Sequence, residues 1–313
     1  MNKKIVAITT MNSSRITITL QLTTACTYSC RYCPDTLNKG SHGLFNLDEL
    51  AIFFNKFNNR EIILTITGGE ATVHPQLKDI LELAKQLDIK TQVDTNSVRT
   101  VRYYQEIGAL VDVWNITLHP SQHVLDLEKI RVLTDNSFVV VYIMMDPQHW
   151  NIAVDWWNQI NTLDNIKTIP LMTIDHYGDA DYIANYTDDQ TQWLADTKSR
   201  FNFTKARQTK LLKSHWWLVD ANSRLFYNTG ETETLDGYQL IKQGLNSFYG
   251  WLCRAGDENI LINRDCSASW ANCGIKQYNH FLNIDPVELT RPIVCNRVKC
   301  TCVTDIRSSK EEA

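Results

Sequence analysis

Residues 15–33 read RITITLQLTTACTYSCRYC, an alternating apolar segment that runs directly into three closely spaced cysteines. The strict alternation over Arg15–Leu22 predicts a β-strand with one buried face. Cys26, Cys30 and Cys33 then lie on the loop that follows this strand. In folds built on parallel strands, the loops at the C-terminal ends of the strands carry the active site.

Apolar and amphipathic segments alternate along the first half of the chain. The further predicted strands are Glu61–Thr67, Lys90–Asp94, Val111–Leu118, Phe138–Met144 and Ile166–Thr173. The predicted helices are Leu47–Phe57 with Asn46 as its cap, Gln76–Leu87, Val101–Ile107, Leu125–Leu133 and Ile152–Ile160. Repeated β-then-α units predict a parallel sheet. About six such units predict an α/β fold of the partial (β/α)6 type, an open TIM-like barrel rather than a closed one.

The pattern changes after about Asp175. A capping box formed by Thr187 and Gln190 predicts the start of another helix. Ile260–Asp265 is typical of one arm of a hairpin. We therefore expect a core domain over residues 1–203, a connecting region over 204–250 and a small cysteine-rich domain over 251–313.

Composition and charge narrow the class of protein. The 313 residues are 43% hydrophobic and 21% charged, which is ordinary for a globular chain. The longest apolar run, Phe138–Met145, is far shorter than the roughly 18–20 residues of a membrane helix, and the N-terminus is not typical of an export signal. The net charge of −4 disfavours a nucleic-acid partner. We expect a soluble cytoplasmic protein with no membrane partner.

The nine cysteines fall into two groups separated by a long interval that contains none. The second group comprises Cys253, Cys266, Cys273, Cys295, Cys300 and Cys302. An odd number of cysteines in a chain without an export signal argues against a disulfide scaffold and favours metal binding.

The first group suits an iron–sulfur cubane with one open iron. Three thiolates on one loop can each bind one iron, which leaves the fourth iron free to take a small molecule. A cubane used only for electron transfer needs a fourth thiolate nearby, and none follows before Cys253. A tetrahedral zinc site is the alternative, with His42 as its fourth ligand.

Cys26, Cys30, Tyr32 and Cys33 have the spacing and the aromatic position of the signature of radical S-adenosylmethionine (SAM) enzymes, and the chain resembles that superfamily. The resemblance implies that the open iron chelates the amino and carboxylate groups of SAM. An electron from the 4Fe–4S cluster then cleaves SAM to methionine and a 5′-deoxyadenosyl radical, which abstracts a substrate hydrogen. Tyr32 would pack near the adenine, and a plain core aromatic is the alternative.

Further strand ends carry matches to cofactor-binding motifs of the same superfamily. Gly68, Gly69 and Glu70 match its Gly-Gly-Glu-Pro motif, with Ala71 in place of the proline. Glycine lets the backbone approach a ligand closely, and Glu70 would accept hydrogen bonds from the ammonium group of SAM. The alternative for Glu70 is a solvated surface carboxylate.

The next two strand ends give weaker matches. Asn96 lies in a turn similar to a Thr-Asn-Gly segment near the cofactor, and Thr117 stands where a ribose-binding serine is common. His119 is our candidate catalytic residue, facing the substrate, and capping of its strand is the alternative.

The second cysteine group resembles the auxiliary-cluster domains that follow radical SAM barrels, in particular the short twitch form of the SPASM domain. By this resemblance Cys253 and Cys273 flank a hairpin, and two of Cys295, Cys300 and Cys302 complete the ligands of a second 4Fe–4S cluster. Cys266 falls where the family has a hairpin glycine and is left out of this set. A structural zinc ribbon is the alternative.

The resemblance implies a radical SAM oxidoreductase or maturase that oxidatively modifies a peptide and takes electrons from a flavodoxin- or ferredoxin-like donor. A sugar-like small molecule is the alternative substrate. A protein of another class, a non-catalytic binding protein stabilised by zinc, would need neither an open iron nor the Gly-Gly-Glu segment.

Overall fold

A computed structural model describes residues 3–10, 14–33, 39–122, 124–177, 180–197, 200–202, 222–300, 302 and 305–313. The chain divides into two compact units. The core unit comprises Gln21–His42 and Thr65–Leu211, and the terminal unit comprises Met1–Leu20, Gly43–Leu64 and Leu212–Ala313. The expected domain division at 203 and 250 stays a prediction, and residues 203–221 lie outside the described part.

The strands and helices are short and closely spaced. The strands are β1 (Ile5–Thr10), β2 (Arg15–Ala25), β3 (Lys39–His42), β4 (Glu61–Gly68), β5 (Lys90–Thr95), β6 (Val113–Leu118), β7 (Phe138–Met144), β8 (Ile166–Leu171), β9 (Ile174–Tyr177), β10 (Ala180–Ile183), β11 (Arg200–Asn202), β12 (Asn222–Tyr227), β13 (Thr232–Asp236), β14 (Leu252–Cys253), β15 (Asn259–Ile262), β16 (Ala268–Trp270), β17 (Gln277–Tyr278), β18 (Ile293–Val294) and β19 (Lys310–Glu311). The longer helices are α1 (Leu47–Asn55), α2 (Leu77–Gln86), α3 (Val101–Ile107), α4 (Leu127–Asn136), α5 (Trp150–Ile160) and α6 (Asp188–Asp196). Shorter helices span Gly237–Lys242, Ala255–Glu258 and Pro286–Leu289. Among the described residues no helix is long and apolar enough to cross a membrane.

The core unit is built on a mostly parallel sheet. Its strands follow the order β11-β8-β7-β6-β5 and continue through the C-terminal parts of β4 and β2. β5, β6, β7 and β8 are parallel to one another, and β11 closes the edge antiparallel to β8. This confirms the α/β prediction, because helices α2 to α5 alternate with these strands along the chain.

Local sequence signals explain where the helices begin. The side chain of Asn46 accepts hydrogen bonds from the backbone N–H groups of Asp48 and Glu49, which satisfies two free donors at the start of α1. The capping box of Thr187 and Gln190 is present at the start of α6. Both predicted caps are confirmed.

The terminal unit contains an antiparallel sheet in the order β13-β12-β1-β19-β14-β18. It also contains the predicted hairpin, in which β15 pairs antiparallel with β16. In the same unit β15 runs parallel to the first half of β2, with Ile260 opposite Ile18. The apolar interior of the antiparallel sheet collects several cysteines of the second group.

Candidate active site

The loop that carries the first three cysteines follows β2 and is shaped by backbone hydrogen bonds. The N–H of Cys33 donates to the carbonyl of Cys30 at 3.0 Å, and the N–H of Tyr28 donates to Sγ of Cys26 at 3.4 Å. Cys30 is buried, whereas Cys26 and Cys33 are partly exposed. Burial, together with the neighbouring charges of Cys33 and Cys26, raises the pKa of the Cys30 thiol to about 11. The charges of Cys26 and Cys33 are thus near enough to act on the Cys30 thiol.

Tyr32 and His119 lie directly against this loop. The Tyr32 hydroxyl is 2.9 Å from Nδ1 of His119, and the same nitrogen is 3.5 Å from Sγ of Cys30. The Tyr28 ring meets the edge of the His119 ring at a centroid distance of 5.9 Å. Burial raises the pKa of Tyr32, so its hydroxyl keeps its proton and can donate it in a hydrogen bond. The predicted residues at the end of β6 and on the cysteine loop are thus brought together.

Gly68 and Gly69 place the end of β4 against the end of β2. Gly68 has φ of +150°, and a Cβ there would lie 2.3 Å from the carbonyl oxygen of Thr23. The N–H of Gly69 donates to that same oxygen at 2.8 Å, and the N–H of Glu70 donates to the carbonyl of Ala25 at 2.9 Å. Only glycine at position 68 permits this approach. The Gly-Gly-Glu segment therefore lies beside the start of the cysteine loop.

Glu70 is buried and strongly hydrogen-bonded, with 1% of its surface exposed. Its Oε1 accepts from the N–H and the hydroxyl of Thr72 and from the hydroxyl of Thr95, and its Oε2 accepts from the N–H of Asn96 at 2.6 Å. The alternative of a solvated surface carboxylate is therefore wrong. Glu70 ties the end of β4 to the end of β5.

Asn96 and Thr117 occupy the ends of neighbouring strands. The side-chain amide of Asn96 donates to Sγ of Cys26 at 3.6 Å, so this residue reaches the cysteine loop. Thr117 is half-buried in β6, opposite Tyr142 of β7, two positions before His119. Both predicted positions belong to the same edge of the sheet as the cysteines.

An ion pair that sequence reasoning missed fastens the cysteine loop. Arg31 Nη2 donates to Oδ1 of Asp146 at 3.0 Å, and His149 Nδ1 lies 2.9 Å from Oδ2. Burial opposes ionisation of Asp146, but the hydrogen bonds from His149 and Arg31 outweigh it and lower the pKa. The carboxylate of Asp146 is thus charged. It holds Arg31, which lies between Cys30 and Cys33 in the sequence. An acidic residue directly after a predicted strand was the available signal, but its partner is 115 positions away.

The second cysteine group lies in the terminal unit. Cys253 and Cys295 are buried in one apolar cluster, and Cys273 and Cys300 pack against it. Burial raises the pKa of Cys273 to about 11 and that of Cys300 to about 12. Sγ of Cys302 accepts from the side-chain amide of Asn272 at 3.5 Å.

Cys266 lies in the turn between β15 and β16. It has φ of +65° in the turn of the hairpin, and its Sγ lies 3.9 Å from the carbonyl oxygen of Leu44. A left-handed backbone is the conformation that favours glycine, which agrees with the hairpin position given to this residue.

The donor chemistry of both groups fits an iron–sulfur cluster, because soft thiolates suit such clusters and zinc. In the described part of the chain, no three cysteine, histidine or acidic side chains are arranged to hold a metal ion. The fit therefore rests on the chemical type of the residues, on the single loop that carries the first three cysteines, and on the apolar cluster that contains Cys253 and Cys295.

The α/β fold and the three-cysteine loop can be compared with known protein families and structures. Residues 20–168 match the model of the Radical SAM superfamily. No curated protein matches the chain significantly.

Solved structures show the same fold at low sequence identity. SuiB of Streptococcus suis superposes with a TM-score of 0.54 at 14% identity, covering 89% of this chain and 66% of that one. The structure of SuiB bound to S-adenosylmethionine superposes with a TM-score of 0.51 at 13% identity, covering 86% of this chain and 64% of that one. Native anSMEcpe with bound AdoMet and Cp18Cys peptide superposes with a TM-score of 0.52 at 11% identity, covering 88% of this chain and 80% of that one. This chain thus spans just under two thirds of SuiB, and the likeness confirms the partial-barrel prediction for the fold.

Proposed function

We propose that this protein is a radical SAM enzyme that cleaves SAM reductively and oxidatively modifies a peptide. The observation that carries the proposal is the position of the three-cysteine loop beside the Gly68–Glu70 segment, within the part of the chain that matches the Radical SAM superfamily model. Cys26, Cys30 and Cys33 would hold the 4Fe–4S cluster. With SAM bound, that cluster supplies the electron for cleavage and thereby the radical that removes a hydrogen atom.

The remaining residues of the core unit would bind and orient the cofactor. Oε2 of Glu70 accepts one described hydrogen bond, from the N–H of Asn96, and has capacity for an ammonium donor. The hydroxyl of Thr117 is our candidate for the ribose. Tyr32 and His119 would close the space above the cluster, with His119 on the substrate side.

We further propose that the terminal unit holds a second 4Fe–4S cluster. Cys253, Cys273, Cys295 and Cys300 are the favoured ligands because they pack in one apolar cluster, while Cys302 is an alternate ligand beside Cys300. Four cysteine ligands leave no iron open, so electron transfer is the natural role of such a cluster. This role agrees with an oxidation as the net reaction.

A peptide is the favoured substrate because anSMEcpe, one of the similar structures, holds a bound peptide. A short precursor peptide, sought among the genes that neighbour this one, is the probe that tests it. Incubated with the loaded enzyme, SAM and reductant, that peptide should change in mass only when SAM is present. An unchanged peptide, with turnover of a sugar-like compound instead, would contradict the choice of substrate. The flavodoxin- or ferredoxin-like donor and the cytoplasmic location stay predictions.

Metal analysis tests the proposed pair of clusters. Protein purified without oxygen should contain about eight irons and eight sulfides per chain, four for each cluster. The double variant Cys253→Ala, Cys273→Ala should retain about four irons, because it removes two of the proposed ligands of the second cluster. Cys266→Ala is the matched control and should keep all eight, since Cys266 is outside the proposed ligand set and its Sγ contacts the Leu44 carbonyl oxygen. Stoichiometric zinc with about four irons would overturn the second cluster, and zinc alone would overturn both.

A further inference from the structure

Lys310 is a buried lysine in the middle of the antiparallel sheet of the terminal unit. It belongs to β19, between β1 and β14, where it lies opposite Ile8 on one side and Cys253 on the other. Only 4% of its surface is exposed. Lysine is rarely buried to this extent without a partner, so the surroundings of its ammonium group need an explanation.

Backbone carbonyls surround the ammonium group. Nζ donates to the carbonyl oxygens of Asp305 at 2.7 Å, Ser308 at 2.8 Å and Ile306 at 3.2 Å. It also lies 5.2 Å from the centre of the Phe248 ring. Three acceptors match the three protons of an ammonium, whereas a neutral amine has only two N–H donors. The positive charge is therefore fixed at one place in the interior.

This charge faces the second cysteine group. Phe248 belongs to the same apolar cluster as Cys253 and Cys295. Lys310 also lies opposite Cys253 in the paired strands β19 and β14. The ammonium group is therefore close to cysteines that we propose as cluster ligands.

Asp305 carries the charge opposite to that of Lys310 and lies in the same short segment of chain. Its buried carboxylate accepts from the N–H of Cys273 at 2.7 Å and from the N–H and side-chain amide of Asn272 at 3.1 and 3.0 Å. Asp305 thus contacts the backbone of Cys273, one of the proposed cluster ligands. The site therefore has one buried positive group and one buried negative group, each held by backbone contacts.

We propose that Lys310 is a positioning residue whose fixed positive charge raises the reduction potential of the second cluster, and that Asp305 lowers it. Reduction adds one negative charge to a cluster in an apolar interior, where the effective dielectric constant is low and charges interact strongly. A nearby ammonium stabilises the reduced form, and a nearby carboxylate destabilises it. This inference rests on the proposed second cluster.

A redox titration followed by electron paramagnetic resonance tests the inference. The parent protein carries Cys26→Ala, Cys30→Ala and Cys33→Ala, so only the second cluster contributes. Lys310→Met should lower the ratio of reduced to oxidised cluster at a fixed potential at least tenfold, which is a downward shift of about 59 mV for one electron. Asp305→Asn should shift the ratio upward, and Lys310→Arg, which keeps the charge, should stay near the parent.

Lys3→Met is the matched control, because it removes the same charge from an exposed lysine paired with Glu231. It should leave the potential unchanged. Opposite shifts of the reduction potential in Lys310→Met and Asp305→Asn would exclude a merely structural role. Loosening of the site would instead shift the potentials of both variants in the same direction. If Lys310→Met does not assemble its cluster, Asp305→Asn decides, and an unchanged or lower potential contradicts the inference.

Two failures are distinguishable in this design. A parent protein without iron, sulfide or a resonance signal would overturn the proposed second cluster and with it the inference. A loaded parent whose potential does not change with Lys310→Met would overturn the role of Lys310 alone.

Discussion

The hydroxyl of Tyr32 lies 2.9 Å from Nδ1 of His119, and their rings are stacked at 16° with 5.9 Å between centroids. Tyr32 belongs to the cysteine loop, whereas His119 directly follows β6. A single nitrogen of His119 serves two neighbours, since it also lies 3.5 Å from the Cys30 thiol. The contact joins the cysteine loop to the end of β6 in the parallel sheet.

A double-mutant cycle measures this contact. Tyr32→Phe and His119→Phe each keep a ring and remove the hydrogen bond, so their effects on the free energy of unfolding should not add. We expect a coupling of about 1 kcal/mol from urea unfolding of the apoprotein. Strict additivity of the two substitutions would show that the contact contributes nothing.

Gly68→Ala tests the close approach of β4 to β2. The new Cβ would meet the Thr23 carbonyl oxygen at 2.3 Å, and backbone atoms cannot give way as a flexible side chain does. We expect a loss of about 1–3 kcal/mol in the free energy of unfolding, together with weaker binding of SAM to the reconstituted protein.

Gly108→Ala is the matched control for that substitution. Its Cβ would meet only the end of the Leu133 side chain, at 3.6 Å. The free energy of unfolding of Gly108→Ala should stay the same or rise slightly. Equal losses at Gly68 and Gly108 would contradict the account of the glycine pair.

Glu70→Gln tests the buried carboxyl group through its pH dependence. Burial raises the pKa of Glu70 above its ordinary 4.5, and the hydrogen bonds from Asn96, Thr72 and Thr95 only partly oppose it. A carboxyl whose pKa is higher in the folded state binds its proton more tightly there. The resulting stabilisation is complete below pH 4.5 and is lost as the pH rises towards the raised pKa.

The measurement is urea unfolding of wild-type and Glu70→Gln apoprotein over a pH series that starts below 4.5. The stability advantage of the wild type should decrease with rising pH and then level off. An advantage that increases with pH would mean that hydrogen bonding to the charged form outweighs burial.

Local patterns were sufficient for the elements of the parallel sheet. The predicted bounds of the strand Phe138–Met144 and the helix Val101–Ile107 are those of the structure, because continuous apolar and helical periodicities are properties of the segment itself. The cap at Asn46 was also visible, since capping depends on residues two and three positions away.

Elements that depend on distant partners were not visible in the sequence. β19 has two residues, and it is a strand only because Lys310 pairs with Ile8 and Cys253, which lie far away in the chain. β1 has too short an apolar pattern to stand out, and its partners β12 and β19 come from the other end of the sequence.

The candidate site divides in the same way. The spacing of Cys26, Cys30 and Cys33 placed the site on a strand end, but the burial of Glu70 depends on Thr95 and Asn96 from the next strand. The Arg31–Asp146 pair joins residues that no short motif connects. Spacing predicts which side chains share a loop, whereas partners across the sheet follow only from the fold.

Cleavage of SAM is the measurement that tests the central claim most directly. Protein reconstituted without oxygen, supplied with dithionite and SAM, should release 5′-deoxyadenosine, and Cys266→Ala should do the same because this residue lies outside both sites. The triple variant Cys26→Ala, Cys30→Ala, Cys33→Ala should release none. Release that survives in the triple variant, or that is absent from wild-type protein containing its full iron and sulfide, would contradict the assignment.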